Sequence, residues 1–327
     1  MPTTTVATEV IKDAVGLACR APSLHNIQPW KWVLTGEGPL LLFLDEDRVT
    51  ASDRFGREAL IGCGAVLDHL RVAMAAAGWQ AQVDRFPDPD DPNRLASIEF
   101  TPAEQVSDAD RRRAEAILQR RSDRLPLNAP QAWDRLEPIL RHVVGTDAVH
   151  LDVLPDEARP ELADASQLAE SLRLYNSAYH DEIDWWTAPF EVEEGIPYSS
   201  LVSAAEGDRV SVGRVFPIAR HAERRVEIPE DRAKILVLST DTDGRAEALA
   251  TGEALSAILL ECTMAGLATC PLTHVTEVRV SREMVRSWLP HDTVPQILVR
   301  VGTAPAGEDV PPPTPRRPLD EVLQLPA

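Results

Sequence analysis

Hydrophobic positions divide the chain into two runs of the same kind. Residues 6–20 set Val6, Val10, Ile11, Val15 and Ala18 on one helical face, and that helix should end before Pro22, because the residue ahead of a proline is pushed out of helical backbone. LLLFLD, 40–45, predicts a short buried strand. GREALIGCGAVLDHLRVAMAAAG, 56–78, predicts a helix that is apolar on most sides and stopped by Gly78, so it belongs at the centre of the fold. LASIEF, 95–100, predicts a further strand after the loop PDPDDPN. The order then recurs: strand KILVLST at 234–240, helix GEALSAILLECTMAG at 252–266, strand QILVRVG at 296–302. Setting Gly64 on Gly252 also sets Leu67 on Leu255, Ala77 on Ala265 and Gly78 on Gly266. Four matches in commonplace residues are weak alone, but with the shared order they point to a duplicated α+β unit. Two tandem halves can then form a pseudo-dimer inside one chain, with a site between them of which each half keeps only part.

Composition narrows the classes of partner. A chain of 327 residues, 44% hydrophobic, can bury the core of one large domain or two ordinary ones. Its formal charge of −19 argues against nucleic acid, whose binding rests on Lys and Arg neutralising phosphates, so any phosphate must meet a local basic cluster. Cys19, Cys63, Cys262 and Cys270 are scattered, without the spacing of a disulfide framework or a metal site. The first residues lack a basic segment followed by an apolar one, and no uncharged apolar run is long enough to cross a bilayer. A cytoplasmic protein with reduced thiols, no metal and no membrane contact is the expectation.

Four stretches carry candidate chemistry. APSLHNIQPW, 21–30, offers Ser23, His25, Asn26 and Gln28 as hydrogen-bonding groups between Pro22 and Pro29, with Trp30 and Trp32 as flat apolar surface. That mixture suits a planar ligand with polar edges, and it equally suits a capped helix end whose loop packs under Trp30. RRSDRLPL, 120–127, sets Arg120, Ser122 and Arg124 at alternate positions, which in extended backbone converge on one spot fit for a phosphate. A solvated basic end to the preceding helix is the competing reading. Arg316 and Arg317 stand in a Pro-rich tail that alone reads as a solvated terminus, although in so acidic a chain they can complete the first Arg cluster. TCPLTH, 269–274, predicts a sharp turn at Pro271 whose amides and Thr273 could meet a ring atom.

Together these stretches resemble the nitroreductase-like family of FMN oxidoreductases. The resemblance rests on R-x-S-x-R at 120–124, A-P-S-x-x-N-x-Q-P-W at 21–30, G-L-A-T-C at 266–270 and the terminal R-R-P-L-D-E-V, and it covers most of the chain. The sequence is most similar to the fused, two-half mycobacterial branch of Acg-like, stress-associated NAD(P)H nitroreductases. A standard member carries R-x-S-x-R first and the Pro-Ser-Asn-Gln turn soon after, whereas here the turn lies in the first half and R-x-S-x-R in the second. The resemblance therefore implies halves at 1–118 and 119–327, one composite FMN site per chain, one lost site, and a monomer. It implies that Arg120, Ser122, Arg124, Arg316 and Arg317 hold the phosphate, ribityl chain and pyrimidine edge. Pro22, Ser23, His25, Asn26, Gln28, Pro29 and Trp30 would face the ring from the first half, and Pro271, Leu272 and Thr273 would lie by its N5 edge. No side-chain nucleophile is required: NAD(P)H would reduce the flavin and a nitroaromatic or quinone would reoxidise it. A protein that holds FMN with little turnover is the alternative. Residues 182–217, with Trp185, Trp186, Phe190 and Tyr198 in weakly periodic sequence, read either as a lid over the flavin or as an arm packed on the other half.

Overall fold

The computed structural model describes residues 5–36, 38–145, 148–188, 194–308 and 312–326, so Phe190 lies outside the described residues. Helix α1 (Thr8–Ala18) leads into strands β1 (Trp30–Leu34) and β2 (Leu40–Leu44), the long helix α2 (Arg57–Ala76), and the hairpin β3 (Trp79–Arg85) and β4 (Arg94–Pro102). Helices α3 (Asp108–Gln119) and α4 (Trp133–Val144) follow, then β5 (His150–Val153), α5 (Arg159–Ser171), α6 (Ser177–Trp186) and the short α7 (Ala204–Asp208). The chain continues through β6 (Lys234–Thr240), α8 (Arg245–Met264), β7 (Ala268–Leu272), α9 (Arg279–Arg286) and β8 (Val294–Gly302), and closes with α10 (Leu319–Val322) and β9 (Leu323–Gln324).

These elements build an α+β fold with two sheets. The first has the order β3-β4-β2-β1-β9 and the second β5-β6-β8-β7. If β1 to β4 are matched with β5 to β8 in chain order, the two sequences of neighbours are identical, and among the described residues β9 is the one extra strand. Both sheets are antiparallel apart from β9, which runs parallel to β1 and carries the C-terminal tail back onto the first sheet. Even the irregularities correspond, since β2 slips register against β4 at Leu42/Phe43 and β6 slips against β8 at Leu238/Ser239.

Helices α2 and α8 each have 20 residues and cross at the centre of the core. Gly64 and Gly252 meet at the crossing, where the Cβ of any larger residue at either position would lie 2.8 Å from the other's Cα. The contacts are reciprocal: Gly64 faces Leu249 O and Gly252 faces Ile61 O, as expected where two equivalent surfaces meet. Asp68 and Ser256, four residues further along each helix, join through a 2.6 Å hydrogen bond. Both helices end on a left-handed glycine, Gly78 at φ +86° and Gly266 at φ +73°. Helix α2 is long and apolar enough to span a membrane, but 83% of its apolar window is buried in the protein, which marks it as a core helix.

Three expectations need correction. Helix α8 starts at Arg245, seven residues before the predicted Gly252, because its first turns are rich in Ala and polar residues and carry little periodic signal. Pro271 does not sit in a sharp turn: it lies inside β7, paired with Val299, which a proline tolerates because β7 is the edge of its sheet. Trp30 and Trp32 offer no ligand surface, since both are fully buried within β1.

Candidate functional site

A cavity of about 360 Å³ is lined by residues of the 22–62 region and of the 122–300 region, and a smaller pocket of about 90 Å³ shares part of its lining. Pro22, Ser23, His25, Ser122 and Arg124 belong to both. The sequence explains how each wall is placed. Helix α3 is fixed by a reciprocal cap, with Asp110 N donating to Ser107 Oγ at 3.1 Å and Ser107 N to Asp110 Oδ2 at 2.8 Å. It delivers Arg120 at its end. The segment that follows bridges to β7 at Ser122 and Thr269, and Asp123 N donates to Thr269 O at 2.8 Å. A buried carboxylate and two arginines clamp that segment. Leu127 N donates to Asp231 at 2.9 Å, Arg300 reaches both Leu125 O at 2.9 Å and Asp231 at 2.5 Å, and Arg225 donates to Pro126 O at 3.1 Å.

The turn at 21–30, between α1 and β1, forms another wall. His25, Asn26 and Gln28 have φ of 48°, 61° and 52°, a left-handed path that Asn and His accept more readily than most residues. Their polar groups largely hold this path. Ser23 Oγ accepts from Gln28 N at 3.0 Å, Asn26 Nδ2 donates to Pro315 O at 3.1 Å, and Gln28 Oε1 accepts from Arg317 N at 2.9 Å. Asn26 and Gln28 therefore staple the C-terminal tail to the turn, which leaves Pro22, Ser23 and His25 at the cavity.

The small pocket is strongly cationic. Arg20, Arg120, Arg121, Arg124 and Arg316 line it, and among the described residues no carboxylate does. Arg316 is committed elsewhere: its Nε donates to Cys19 O at 2.8 Å and Nη2 to Arg20 O at 3.0 Å, so it caps the end of α1. Arg120 is not satisfied. It is buried, its Nη2 reaches Arg20 O at 3.3 Å, and its Nε and Nη1 have no acceptor. Burial, with Arg121 and Arg20 nearby, pushes it down to about 10, so it stays cationic at neutral pH. A buried guanidinium with two idle donors among like charges has the chemistry to hold an anion.

The larger cavity is mostly apolar, with a few polar groups. Arg124 makes no hydrogen bond among the described residues and lies 5.1 Å from the centre of the Phe216 ring. Phe216 also meets His25 edge-on at 6.1 Å. Arg214 is engaged: it donates to Tyr179 Oη at 3.0 Å and Thr273 Oγ1 at 3.1 Å and pairs with Glu277, whose other oxygen takes Arg173 at 2.7 Å. Against the penalty of burial, Arg214 and Arg173 hold Glu277 well below the usual carboxylate range. Burial and Arg214 keep His25 neutral at physiological pH, and the same two causes push His274 down to about 3. Neither imidazole is poised as a cationic acid.

Of the residues singled out in the sequence, Pro22, Ser23, His25, Ser122, Arg124, Pro271, Leu272 and Thr273 line the cavity, and Asn26, Arg120 and Arg316 line the small pocket. Gln28, Pro29, Trp30 and Arg317 lie behind them. Arg317 reaches toward Asp45 just past β2, Gln28 O in the turn and Glu321 of α10. Sequence reasoning missed Arg20, Arg121, Arg214 and Phe216, which come from ordinary-looking helix ends and loop. It also passed over Arg300, a charge in the otherwise apolar QILVRVG strand, and that break in the pattern was a usable signal. Residues 202–218 form one wall of the cavity. They belong to the segment expected to be aperiodic, though α6 extends its helix to Trp186 and α7 adds a turn. The four cysteines are free and buried.

The fold and this geometry define a two-sheet α+β protein with a mostly apolar cavity that adjoins a small cationic pocket. A model of the nitroreductase family matches residues 99–303. A Mycobacterium tuberculosis (strain ATCC 25618 / H37Rv) protein named "Putative NAD(P)H nitroreductase acg" is 59% identical over 326 residues, covering 99% of this chain and 98% of its own. Another from the same strain, "Putative NAD(P)H nitroreductase Rv3131", is 34% identical over 330 residues, covering 97% and 92%. The chain belongs to the nitroreductase family, and its fold is that of the family. Among solved structures, the FMN-dependent nitroreductase NfnB from Mycobacterium smegmatis in complex with NADPH is similar at 17% identity, with a TM-score of 0.38 over 65% of this chain and 97% of its own.

Proposed function

We propose that the chain is an FMN-dependent oxidoreductase of the nitroreductase type that reduces nitroaromatics or quinones with NAD(P)H. The observation that carries this reading is the unsatisfied Arg120 in a carboxylate-free pocket beside an apolar cavity. A phosphate ester fits the first and a flat heterocycle the second. Arg120, with Arg20 and Arg121, would hold the phosphate, Ser122 the ribityl hydroxyls, and Arg124 the pyrimidine edge, where its charge favours an anionic ring. Pro22, Ser23 and His25 would bound the ring from one side and Pro271 to Thr273 from the other. Bound FMN supplies the hydride and electron chemistry. The chain contributes orientation, positive charge and exclusion of water.

The halves at 1–118 and 119–327 act as a pseudo-dimer with one site per chain. Matching strand orders, equal central helices and reciprocal glycine contacts support that view. A fused pair needs no second subunit, so light scattering should report a monomer, and titration should saturate at one FMN.

A second reading, a protein that holds FMN with little turnover, is favoured by the 202–218 wall and by Phe216 lying against Arg124. In that reading residues 182–217 act as a lid. NADPH added anaerobically to the FMN-loaded protein separates the two: prompt bleaching supports the reductase, and persistent oxidised flavin supports the holding protein. A chain that takes up no FMN defeats both. Phe216→Ala should quicken reduction of the bound flavin by dithionite, and an unchanged rate would remove the lid.

A further inference from the structure

Two adjacent arginines, neither of which lines the cavity, hold two of its sides. Arg225 is buried, and its φ of 52° puts it in left-handed backbone, which costs energy for a residue with a Cβ and persists only where its surroundings impose it. The loop supplies that constraint. Arg225 O accepts from Ile228 N at 3.0 Å and from Arg209 Nη1, while Arg209 Nη2 donates to Arg224 O at 2.9 Å. From this turn the two side chains reach different partners.

Arg225 grips the segment after α3. Its Nη1 and Nη2 take the two oxygens of Asp123 at 3.1 and 2.7 Å, Nη1 also donates to Pro126 O at 3.1 Å, and Nε holds Glu308 of the loop after β8 at 3.0 Å. Asp123 stands between Ser122 and Arg124, and its Oδ1 accepts from Leu125 N at 3.0 Å as well. Arg124, without hydrogen bonds of its own among the described residues, takes its position from that backbone and from the Phe216 ring. Arg224 grips the opposite side. Glu206 of α7 is fully buried; its Oε1 accepts from Arg224 Nε at 2.9 Å and Arg224 N at 2.7 Å, and its Oε2 from Arg224 Nη2 at 3.0 Å and Ser203 N at 2.7 Å.

Both gripped pieces face the same space, since Ser122 and Arg124 line the cavity together with Ser203, Ala204 and Gly207. A bidentate pair of Arg with a carboxylate fixes orientation as well as distance, because two parallel N–H···O bonds set the planes of both groups. Two such pairs on consecutive residues of one constrained turn leave the two pieces little freedom to move separately. We propose that Arg224 and Arg225 are positioning residues that register the 203–208 wall against the Ser122–Arg124 segment, an inference whose use in cofactor binding rests on FMN being held by that segment. The ring then gains the grip of Arg124 and the cover of the wall together. Such coupling is reciprocal, so loosening either end loosens the other.

The test changes one end and reads the other, in the full chain. Asp123→Asn keeps an acceptor for Leu125 N but not two oxygens for the Arg225 fork, and Glu206→Gln does the same to Arg224; Arg224→Lys replaces Glu206→Gln if that variant does not fold. In the flavin-free protein, amide hydrogen exchange should quicken about tenfold at 203–210 in Asp123→Asn and at 122–127 in Glu206→Gln, with α2 as in the wild type. Residues that only steady their own surroundings would leave the far end unmoved. In FMN titrations each single variant should bind about tenfold more weakly, and the double variant by clearly less than the product, because the first change has already parted the two pieces. Far ends that exchange as in the wild type, a rise that extends equally to α2, or losses of affinity that multiply would each overturn the registration. A wild type that takes up no FMN fails the cofactor reading instead, and the exchange measurements alone then uphold or overturn the registration.

Discussion

Replacing Gly64 by alanine tests the crossing on which the whole arrangement depends. The new methyl would stand 2.8 Å from Gly252 Cα and 2.9 Å from the carbonyl carbon of Leu249, with the carbonyl oxygen nearer still. All three are backbone atoms in a helix, so no side chain can swing aside. Carbon atoms in contact settle near 3.5–4.0 Å, so α2 and α8 must part by about 1 Å. A gap of that size forfeits a quarter to a half of each contact. Over roughly 50 atom pairs at about 0.15 kcal/mol, the loss is about 2–4 kcal/mol. Alanine gains about 1 kcal/mol over glycine in helix propensity, so the net destabilisation should be about 1–3 kcal/mol in urea unfolding. Gly16→Ala in α1 is the control, since nothing lies within 4 Å of its Cβ, and there the propensity gain should appear alone. Gly252→Ala should match Gly64→Ala. The double variant should lose less than the sum, because the first methyl has already parted the helices. A Gly64→Ala protein as stabilised as Gly16→Ala would refute the close crossing.

Three other outcomes follow from buried charges. Arg120→Gln should lower FMN affinity by about tenfold to a hundredfold by isothermal titration, while the flavin-free protein melts no lower, because the guanidinium it removes is unsatisfied without an anion. Asp231→Asn should cost about 3–5 kcal/mol in denaturant unfolding, since it leaves Arg300, itself fully buried, without its counter-charge. Stability should also fall with rising pH through Asp53. Its proton is kept in the folded chain to about 9 but lost near the ordinary 3.8 when unfolded, so its contribution is complete below about pH 4 and fades toward pH 9. The slope is at most about 1.4 kcal/mol per pH unit, and Asp53→Asn should flatten it.

Much of this architecture is written in local sequence. Gly78 and Gly266 announce the ends of the central helices because only a left-handed residue closes them that way, and the ILVL run inside KILVLST is unbroken because β6 is covered on both faces. The equivalence of Gly64 and Gly252 was legible as well, but their meeting was not, because it depends on how the two central helices cross. The polar turn at 21–30 was legible as special but not in its duties. Asn26 and Gln28 bond a tail almost 290 residues away in sequence, and no local pattern encodes a partner so distant. Pro271 misled for a related reason: a proline signals a turn unless its strand is an edge, and edge position is a property of the assembled sheet. Phe216 and Arg214 arrive on irregular backbone whose path is set by what it packs against.

On the two-half reading, the asymmetry of the site follows from the symmetry of the scaffold. Ile61 and Gly62 on α2 reach the cavity, whereas their counterparts on α8, Leu249 and Ala250, are packed into the core, and Leu67, counterpart of the cavity residue Leu255, is fully buried. Arg85 at the end of β3 is locked in a bidentate pair with Glu253 of α8 at 2.7 and 2.6 Å, on the strand whose partner β7 supplies Pro271 to the cavity. A homodimer cannot make such a choice, because any substitution appears at both sites. Within one chain the two ends of the crossing are free to diverge: one keeps uncompensated arginines, which destabilise the empty protein, and the other trades them for matched pairs and apolar packing. Arg120 is buried with two donors that lack acceptors, whereas Arg85, half-exposed, is matched by Glu253, so a ligand is required to complete only the first.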